Sequence, residues 1–259
     1  MTDIKVVRDI PYADRALRGA YDLYLPDAGT DAKVPLLIYF YGGSLKKGSK
    51  DKQHIPAALA REGCAVACPD YRLYPEVQYP DFINDAADAV AAVMASLDGI
   101  PRIDRSRVFI GGHSAGAYLS MMLCFDRSYL TSRGYDPDAF AGYLFLSGQP
   151  TKHMTVLEAE GLDPRRIIVD GTAPLYHVHP HGAPLLILTS DCDMGCRREQ
   201  NYLLYGHLRH IGYDAPVVFC DLCGVTHGGM CRPDEAGKIP ALPELLKFIF
   251  NQNERNITT

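Results

Sequence analysis

Residues 108–116, which read VFIGGHSAG, decide how this chain is interpreted. An apolar run of strand type leads into the pattern G-x-S-x-G, and a stretch of helical type, Met121 to Phe125, follows it. A strand that turns sharply into a helix leaves a serine hydroxyl exposed above a sheet, and a side chain at Gly112 or Gly116 would collide with neighbouring backbone. The stretch therefore predicts a nucleophile elbow with Ser114 as the nucleophile.

On both sides of this elbow, short apolar runs alternate with longer amphipathic stretches. This pattern predicts an α/β fold with a mainly parallel central sheet and helices on both of its faces. Strands are predicted at 4–8, 20–25, 35–40, 64–68, 107–111, 142–147, 184–189 and 215–220, with the first two as edge strands, and helices at 51–62, 81–97, from 114 onwards, 197–211 and 242–250. Residues 1–259 are interpreted as one domain, with a lid or substrate-binding insert at 148–182.

The composition, 47% hydrophobic and 22% charged, is that of a globular protein. The net charge of −5 is spread along the chain, which argues against a nucleic-acid or anionic membrane partner and favours a small-molecule substrate. The N-terminus lacks a signal-peptide pattern, and no apolar run approaches the roughly 20 residues that span a bilayer. A cytoplasmic location without a membrane span is expected, and homodimerisation is left open.

A serine hydroxyl needs a neighbouring base, and the best candidate among nine histidines is His227. It lies in the sequence GVTHGG at 224–229, after the last predicted strand, where glycines allow a close approach to the elbow. His113 is interpreted as a packing residue, since the elbow turns its side chain away from Ser114. Three alternating histidines have a spacing that could hold a metal, but without carboxylates they fit a polar edge better; they are His177, His179 and His181.

The base needs a carboxylate that orients it, and the chain order serine, acid, histidine points to the loop after strand 184–189. Asp191 and Asp193 both lie on this loop. Asp193 is preferred because it extends further past the end of the strand. The alternative assignment makes Asp191 the acid; otherwise Asp191 forms a turn or begins a helix.

Two further groups surround the predicted site. The sequence YGGS at 41–44 follows a buried strand, and the backbone N–H groups of Gly43 and Ser44 are expected to form an oxyanion hole with that of Ala115. Four cysteines lie near the acid and histidine loops, namely Cys192, Cys196, Cys220 and Cys223. A zinc or disulfide site there is the less favoured alternative, because Cys220 continues a strand pattern and the first spacing is atypical of zinc. No metal is predicted.

These motifs resemble those of the α/β-hydrolase superfamily, and more narrowly the bacterial carboxylesterases related to hormone-sensitive lipase and the acetyl-xylan or feruloyl esterase-like proteins. Besides the elbow, the resemblance rests on PDYRLYPE at 69–76 and on LTSDCD at 188–193. It implies that Asp193 is the catalytic acid. The chain departs from the family at 41–45, where YGGSL replaces the usual H-G-G-G or H-G-G-x-W. The two glycines are kept, while the histidine and the aromatic residue are absent.

The sequence thus predicts a serine esterase that needs no cofactor. Short-acyl or aryl esters are the expected substrates, with acetylated or feruloylated sugars among them. One alternative keeps the fold and cleaves an amide, a formamide or a peptide instead. A second alternative, from another class, is a binding or regulatory protein without catalysis, which the altered sequence at 41–45 motivates.

Overall fold

A computed structural model describes residues 3–14, 17–27 and 32–251. Eight strands in these ranges form a single sheet: β1 (Ile4–Pro11), β2 (Ala20–Pro26), β3 (Val34–Phe40), β4 (Ala65–Pro69), β5 (Ile103–His113), β6 (Gly142–Leu146), β7 (Leu185–Cys192) and β8 (Val217–Thr226). Their order across the sheet is β1-β2-β4-β3-β5-β6-β7-β8. β2 runs antiparallel to both of its neighbours, and all other pairs are parallel. The predicted α/β fold with a mainly parallel sheet is confirmed.

Helices cover both faces of this sheet. They are α1 (Ile55–Arg61), α2 (Asp81–Ser96), α3 (Ala115–Phe125), α4 (Ser128–Thr131), α5 (Met154–Ala159), α6 (Arg197–His210) and α7 (Leu242–Phe250). α2, α3 and α6 contribute to the larger apolar cluster, while α1 and α7 contribute to the cluster on the other face. Each fully buried Leu or Phe in these layers stabilises the fold by about 1.5–3 kcal/mol. No helix in the described ranges is long and apolar enough to cross a bilayer.

Several predicted boundaries are wrong. The helix predicted at 51–62 is instead a 3₁₀ turn, Lys50–Lys52, followed by α1. Pro56 lies at the start of α1, and a proline ring would clash with a helical carbonyl four residues earlier, so the helix cannot extend back through it. β2 is an interior strand rather than an edge strand, because β1 pairs along its outer side. β8 continues to Thr226 because its end pairs with Cys192 of β7.

The predicted insert, residues 148–182, lies between β6 and β7. Its first part is buried against the domain, with Gln149 only 3% and His153 only 1% exposed. The Thr155 hydroxyl of α5 donates a hydrogen bond to the Ser44 carbonyl on the loop after β3. The insert therefore packs directly on the loop that carries the predicted oxyanion donors.

Candidate active site

Ser114 lies at the sharp turn between β5 and α3. Its backbone has φ +56° and ψ −114°, a strained conformation for a residue with a side chain. A methyl group at Gly112 would lie 2.4 Å from the carbonyl oxygen of Phe40, and one at Gly116 only 2.0 Å from it. Only glycine fits at both positions, so the two glycines are what allow β3, β5 and α3 to come together beneath Ser114.

The structure brings the predicted serine, histidine and acid into one hydrogen-bonded series. His227 Nε2 lies 2.8 Å from Ser114 Oγ, and His227 Nδ1 lies 2.5 Å from Asp193 Oδ1. An ionised carboxylate can only accept, so in the neutral imidazole Nδ1 carries the proton and donates it to Asp193. Nε2 is then free to accept the hydroxyl proton of Ser114, which is the arrangement that activates a serine.

Four hydrogen bonds hold Asp193 in its ionised form, and the longest runs from Thr189 Oγ1 to Oδ2 over 3.5 Å. Ser147 Oγ donates to Oδ2 over 2.5 Å, the backbone N–H of Met194 donates to Oδ1 over 2.7 Å, and His227 donates to the same oxygen. Burial by itself would raise the pKa of Asp193, whose side chain is 1% exposed, but the bonds from His227 and Ser147 outweigh it and lower the pKa. Asp193 therefore stays charged beneath the histidine.

A buried arginine supports this arrangement from α6. Arg197 is 4% exposed, and its guanidinium donates to the Ser147 carbonyl over 3.1 Å and to Gln149 Oε1 over 3.0 Å. Burial lowers the pKa of Arg197 to about 10, and the charge of Asp193 opposes that shift. Sequence reasoning missed both Ser147 and Arg197. The position of Ser147 directly after β6 was the one available signal, because polar residues gather at the carboxyl ends of parallel strands.

Asp191, the alternative acid, lies within β7 rather than on the predicted loop, and it contacts the end of β8. Its Oδ1 accepts a hydrogen bond from the Gly224 N–H over 2.7 Å, and the thiols of Cys192 and Cys223 also bond to its carboxylate. These bonds lower the pKa of Asp191. The bond from Cys223 contributes most, and the backbone bond from Gly224 contributes next. Asp191 thus ties the ends of β7 and β8 together, while Asp193 alone of the two contacts His227 in the structure.

The cysteines and histidines that the sequence offers as possible metal ligands are dispersed. The four cysteines near the site are all free thiols, and Cys220 contacts Glu244 of α7 rather than the other three. His177 Nε2 lies 2.8 Å from the Gly171 carbonyl oxygen, and His181 Nδ1 lies 2.6 Å from Asp214 Oδ2. Within 3–14, 17–27 and 32–251, no three His, Cys, Asp or Glu side chains are grouped so that they could hold a metal ion.

His113 does more than the predicted packing. Its Nε2 lies 2.8 Å from the backbone carbonyl oxygen of His227, and the two rings are 4.8 Å apart. Burial, followed by the nearby His227, lowers the pKa of His113 to about 3, so the ring is neutral at neutral pH. Because a carbonyl only accepts, Nε2 carries the proton and donates it. This bond holds the loop of His227 against the elbow.

Two of the three predicted oxyanion donors lie on the wall of the cavity above Ser114, and the third follows Ser114 in the chain. Gly43 and Ser44 line this cavity, and Ala115 is the first residue of α3, where a helical N–H has no partner within the helix. In the described part of the chain, none of these three N–H groups donates to a protein acceptor. A methyl group at Gly43, which has φ +137°, would lie 1.9 Å from the Lys47 carbonyl oxygen, so this tight turn requires glycine.

Tyr41, which stands where the family usually has histidine, faces away from the cavity. Its ring stacks on that of Tyr71 at a centroid distance of 4.6 Å, and Arg18 donates to its hydroxyl over 2.9 Å. The Tyr71 hydroxyl in turn donates to the Tyr41 carbonyl over 2.8 Å. Tyr41 is fully buried, and it anchors the loop that carries Gly43 and Ser44.

Two neighbouring cavities meet at this end of the sheet. The cavity above Ser114 has a volume of about 530 Å³ and is lined by the loops after β3, β5 and β8. The insert lines a second cavity of about 390 Å³, to which Gln149, Met154 and Ile167 contribute. Met194 lines both. The insert therefore lies beside the Ser114 cavity, and its role as a lid stays a prediction.

Comparisons with known proteins agree with the fold and with the sequence resemblance. The family model described as BD-FAE matches residues 21–134. A probable isoprenylcysteine alpha-carbonyl methylesterase of Arabidopsis thaliana is 30% identical over 149 residues, which are 56% of this chain and 35% of that protein. Kynurenine formamidase of Danio rerio is 31% identical over 120 residues, 46% of this chain and 39% of that protein.

Among solved structures, a truncated carbohydrate esterase from gut microbiota superposes with a TM-score of 0.74 at 19% identity and covers 96% of both chains. That likeness shows the α/β-hydrolase fold. The matched segments span between about a quarter and two fifths of the curated relatives. The predicted resemblance to α/β-hydrolase carboxylesterases is confirmed.

Proposed function

We propose that this chain is a serine hydrolase that cleaves carboxylic esters through an acyl-enzyme. The observation that carries the proposal is the series Ser114 Oγ, His227 Nε2, His227 Nδ1 and Asp193 Oδ1, with spacings of 2.8 Å and 2.5 Å. The esterase names of the matched relatives support the same reaction class. Short-acyl or aryl esters, acetylated or feruloylated sugars included, are the proposed substrates.

Each group has one task in the proposed reaction. Ser114 Oγ forms a bond to the ester carbonyl carbon while His227 Nε2 takes its proton, and Asp193 stabilises the resulting imidazolium. The oxyanion would accept hydrogen bonds from the N–H groups of Gly43, Ser44 and Ala115. The tetrahedral intermediate then breaks its bond to the alcohol oxygen, which leaves with the proton from His227. A water molecule repeats the sequence on the acyl-enzyme and releases the carboxylic acid.

The test is hydrolysis of p-nitrophenyl acetate and p-nitrophenyl butyrate by the wild-type protein and by Ser114→Ala. Fluorophosphonate labelling, located by mass spectrometry, identifies the nucleophile independently of substrate choice. We expect activity and label to be lost together in Ser114→Ala, because the other groups have no nucleophile to activate. Folded wild-type protein that takes no label on Ser114 would reject the proposal and favour the binding or regulatory alternative.

Formamide hydrolysis is the second candidate, because one matched relative is a kynurenine formamidase. The same series can attack an amide carbonyl, but His227 must then protonate a poorer leaving group, an amine. Comparing kcat/KM for phenyl acetate, acetanilide and formanilide separates the two reactions. Faster turnover of formanilide than of phenyl acetate, each relative to its uncatalysed rate, would replace the esterase assignment.

A further inference from the structure

Cations line the cavity above Ser114, and no carboxylate of the described residues lies on its wall. Lys47, Lys52 and Arg232 line it together with His54 and the residues of the site, and none of the described lining residues is Asp or Glu. The whole chain has a net charge of −5, so this cavity has the opposite sign to the molecule around it. A local charge that opposes the overall charge suggests a specific partner rather than general surface composition.

These three cations have no acidic partner among the described residues. Two cations near the insert are paired: Lys46 lies against Glu158, and the buried Lys152 lies 2.8 Å from Glu160. Asp51 neighbours Lys52 in sequence, but its two carboxylate oxygens accept from Ser49 and Lys50 instead. In the part of the chain that the structure describes, no carboxylate therefore pairs with the cations of this lining.

Loops far apart in sequence bring these cations together. Lys47 and Lys52 lie on the segment after β3, while Arg232 follows the turn Gly229–Cys231 after the loop of His227. A methyl group at Gly43 would lie 3.3 Å from Cγ of Lys47, so the aliphatic part of this lysine runs beside one of the proposed oxyanion donors. Positively charged residues from two separate segments of the chain thus line the same cavity.

We propose that the Ser114 cavity takes esters whose acyl or alcohol part carries an anionic group, a carboxylate in the first instance. The inference rests on the proposed ester hydrolysis and names its substrate class. Lys47, Lys52 and Arg232 are exposed, so their attraction for an anion is weakened by salt, but a positive lining raises the local concentration of an anionic substrate at low salt. An uncharged ester gains neither effect, so kcat/KM favours the anionic ester.

The test compares 4-acetoxybenzoate with methyl 4-acetoxybenzoate, whose alcohol part is neutral and larger by one methyl group, and follows only the release of acetate. Each kcat/KM is divided by the rate constant of alkaline hydrolysis, which corrects for leaving-group strength. We expect the wild type to prefer the anionic ester and to lose that preference as salt is raised. In the triple variant Lys47→Gln, Lys52→Gln, Arg232→Gln, the preference falls about tenfold, since three exposed charge contacts are lost.

A matched control removes the same amount of charge elsewhere. The triple variant Lys5→Gln, Lys33→Gln, Lys247→Gln changes three exposed lysines outside the cavity and is expected to keep the wild-type preference. Wild-type protein that hydrolyses the neutral ester at least as well as the anionic one, at low salt, overturns this inference and leaves the esterase proposal standing. Equal preference in the wild type and the cavity variant does the same. If wild-type protein hydrolyses neither ester and takes no fluorophosphonate label, both proposals fail.

Discussion

The part of the chain up to residue 134 and the part after it build the candidate site in different ways. In the first part, backbone contacts place Ser114, because Gly112 and Gly116 let β5 and α3 approach the Phe40 carbonyl. In the second part, side-chain hydrogen bonds place Asp193 and His227, which lie 34 residues apart on separate loops. The proposed nucleophile thus depends on close backbone packing, while the proposed acid and base depend on a polar network that extends over several elements.

The same division appears in the comparisons. The matched family model covers residues 21–134, which contain the elbow and the loop with Gly43 and Ser44. The network around Asp193 lies outside the matched range and includes Ser147 and the buried Arg197. Steric fit by glycine leaves a clear pattern in any sequence, whereas a hydrogen-bonded network can be built from many combinations of polar residues.

The largest effect is expected at Asp193, which lies at the centre of the polar network in the part of the chain after residue 134. We expect Asp193→Asn to lower kcat for p-nitrophenyl acetate by about 10⁴-fold, because an amide oriented towards Nδ1 favours the wrong tautomer of His227. The control is Asp191→Asn, which removes charge from the same loop without contact to the histidine and is expected to change kcat only slightly. Equal losses in the two variants would contradict the assignment of Asp193.

The next largest effect is expected at the elbow, in the part of the chain up to residue 134. Gly116→Ala places a methyl group 2.0 Å from the Phe40 carbonyl oxygen, which is backbone and cannot rotate away. We expect the free energy of unfolding to fall by about 3 kcal/mol, measured by urea denaturation. Gly206→Ala in α6 is the control, since nothing lies within 4 Å of the added methyl, and it should stabilise the fold by up to about 1 kcal/mol. Equal stability of the two variants would show that the elbow is not sterically constrained.

The smallest expected effect tests the support of the polar network. Ser147→Ala removes one of the bonds that lower the pKa of Asp193, and we expect a loss of about 2 kcal/mol in unfolding free energy at pH 7. An ionised group with a lowered pKa stabilises the fold above its unfolded pKa of about 3.9, and this contribution disappears as pH falls through the folded pKa. The difference between variant and wild type should therefore shrink below about pH 4.

Ser190→Ala is the matched control for this prediction. Ser190 is as buried as Ser147, but its hydroxyl has no hydrogen-bond partner among the described residues. Its removal should be neutral or stabilising at every pH. A loss for Ser147→Ala that stays constant from pH 7 to pH 3 would show that the hydroxyl acts through packing rather than through the charge of Asp193.

The amino-acid sequence by itself determined the class of fold and the positions of Ser114 and of the loop with His227. Strand and helix periodicity reports which residues are buried, and G-x-S-x-G after a strand reports a turn that only small residues can make. These signals are local, so errors of a few residues in the predicted ends of helices and strands do not change the predicted class of fold. The predicted start of the helix at residue 51 is such an error, because Pro56 prevents α1 from extending back through the preceding turn.

Only the tertiary structure decided which polar groups meet. It placed Asp193 rather than Asp191 against His227 and turned Tyr41 away from the cavity. It also placed Ser147 against Asp193, and Arg197 against Ser147. It likewise brought Arg232, from a distant part of the sequence, to the cavity that Lys47 and Lys52 line. A hydrogen bond or a shared cavity requires atoms within a few ångströms of each other, and for residues distant in sequence that proximity depends on strand order and loop path rather than on any local pattern.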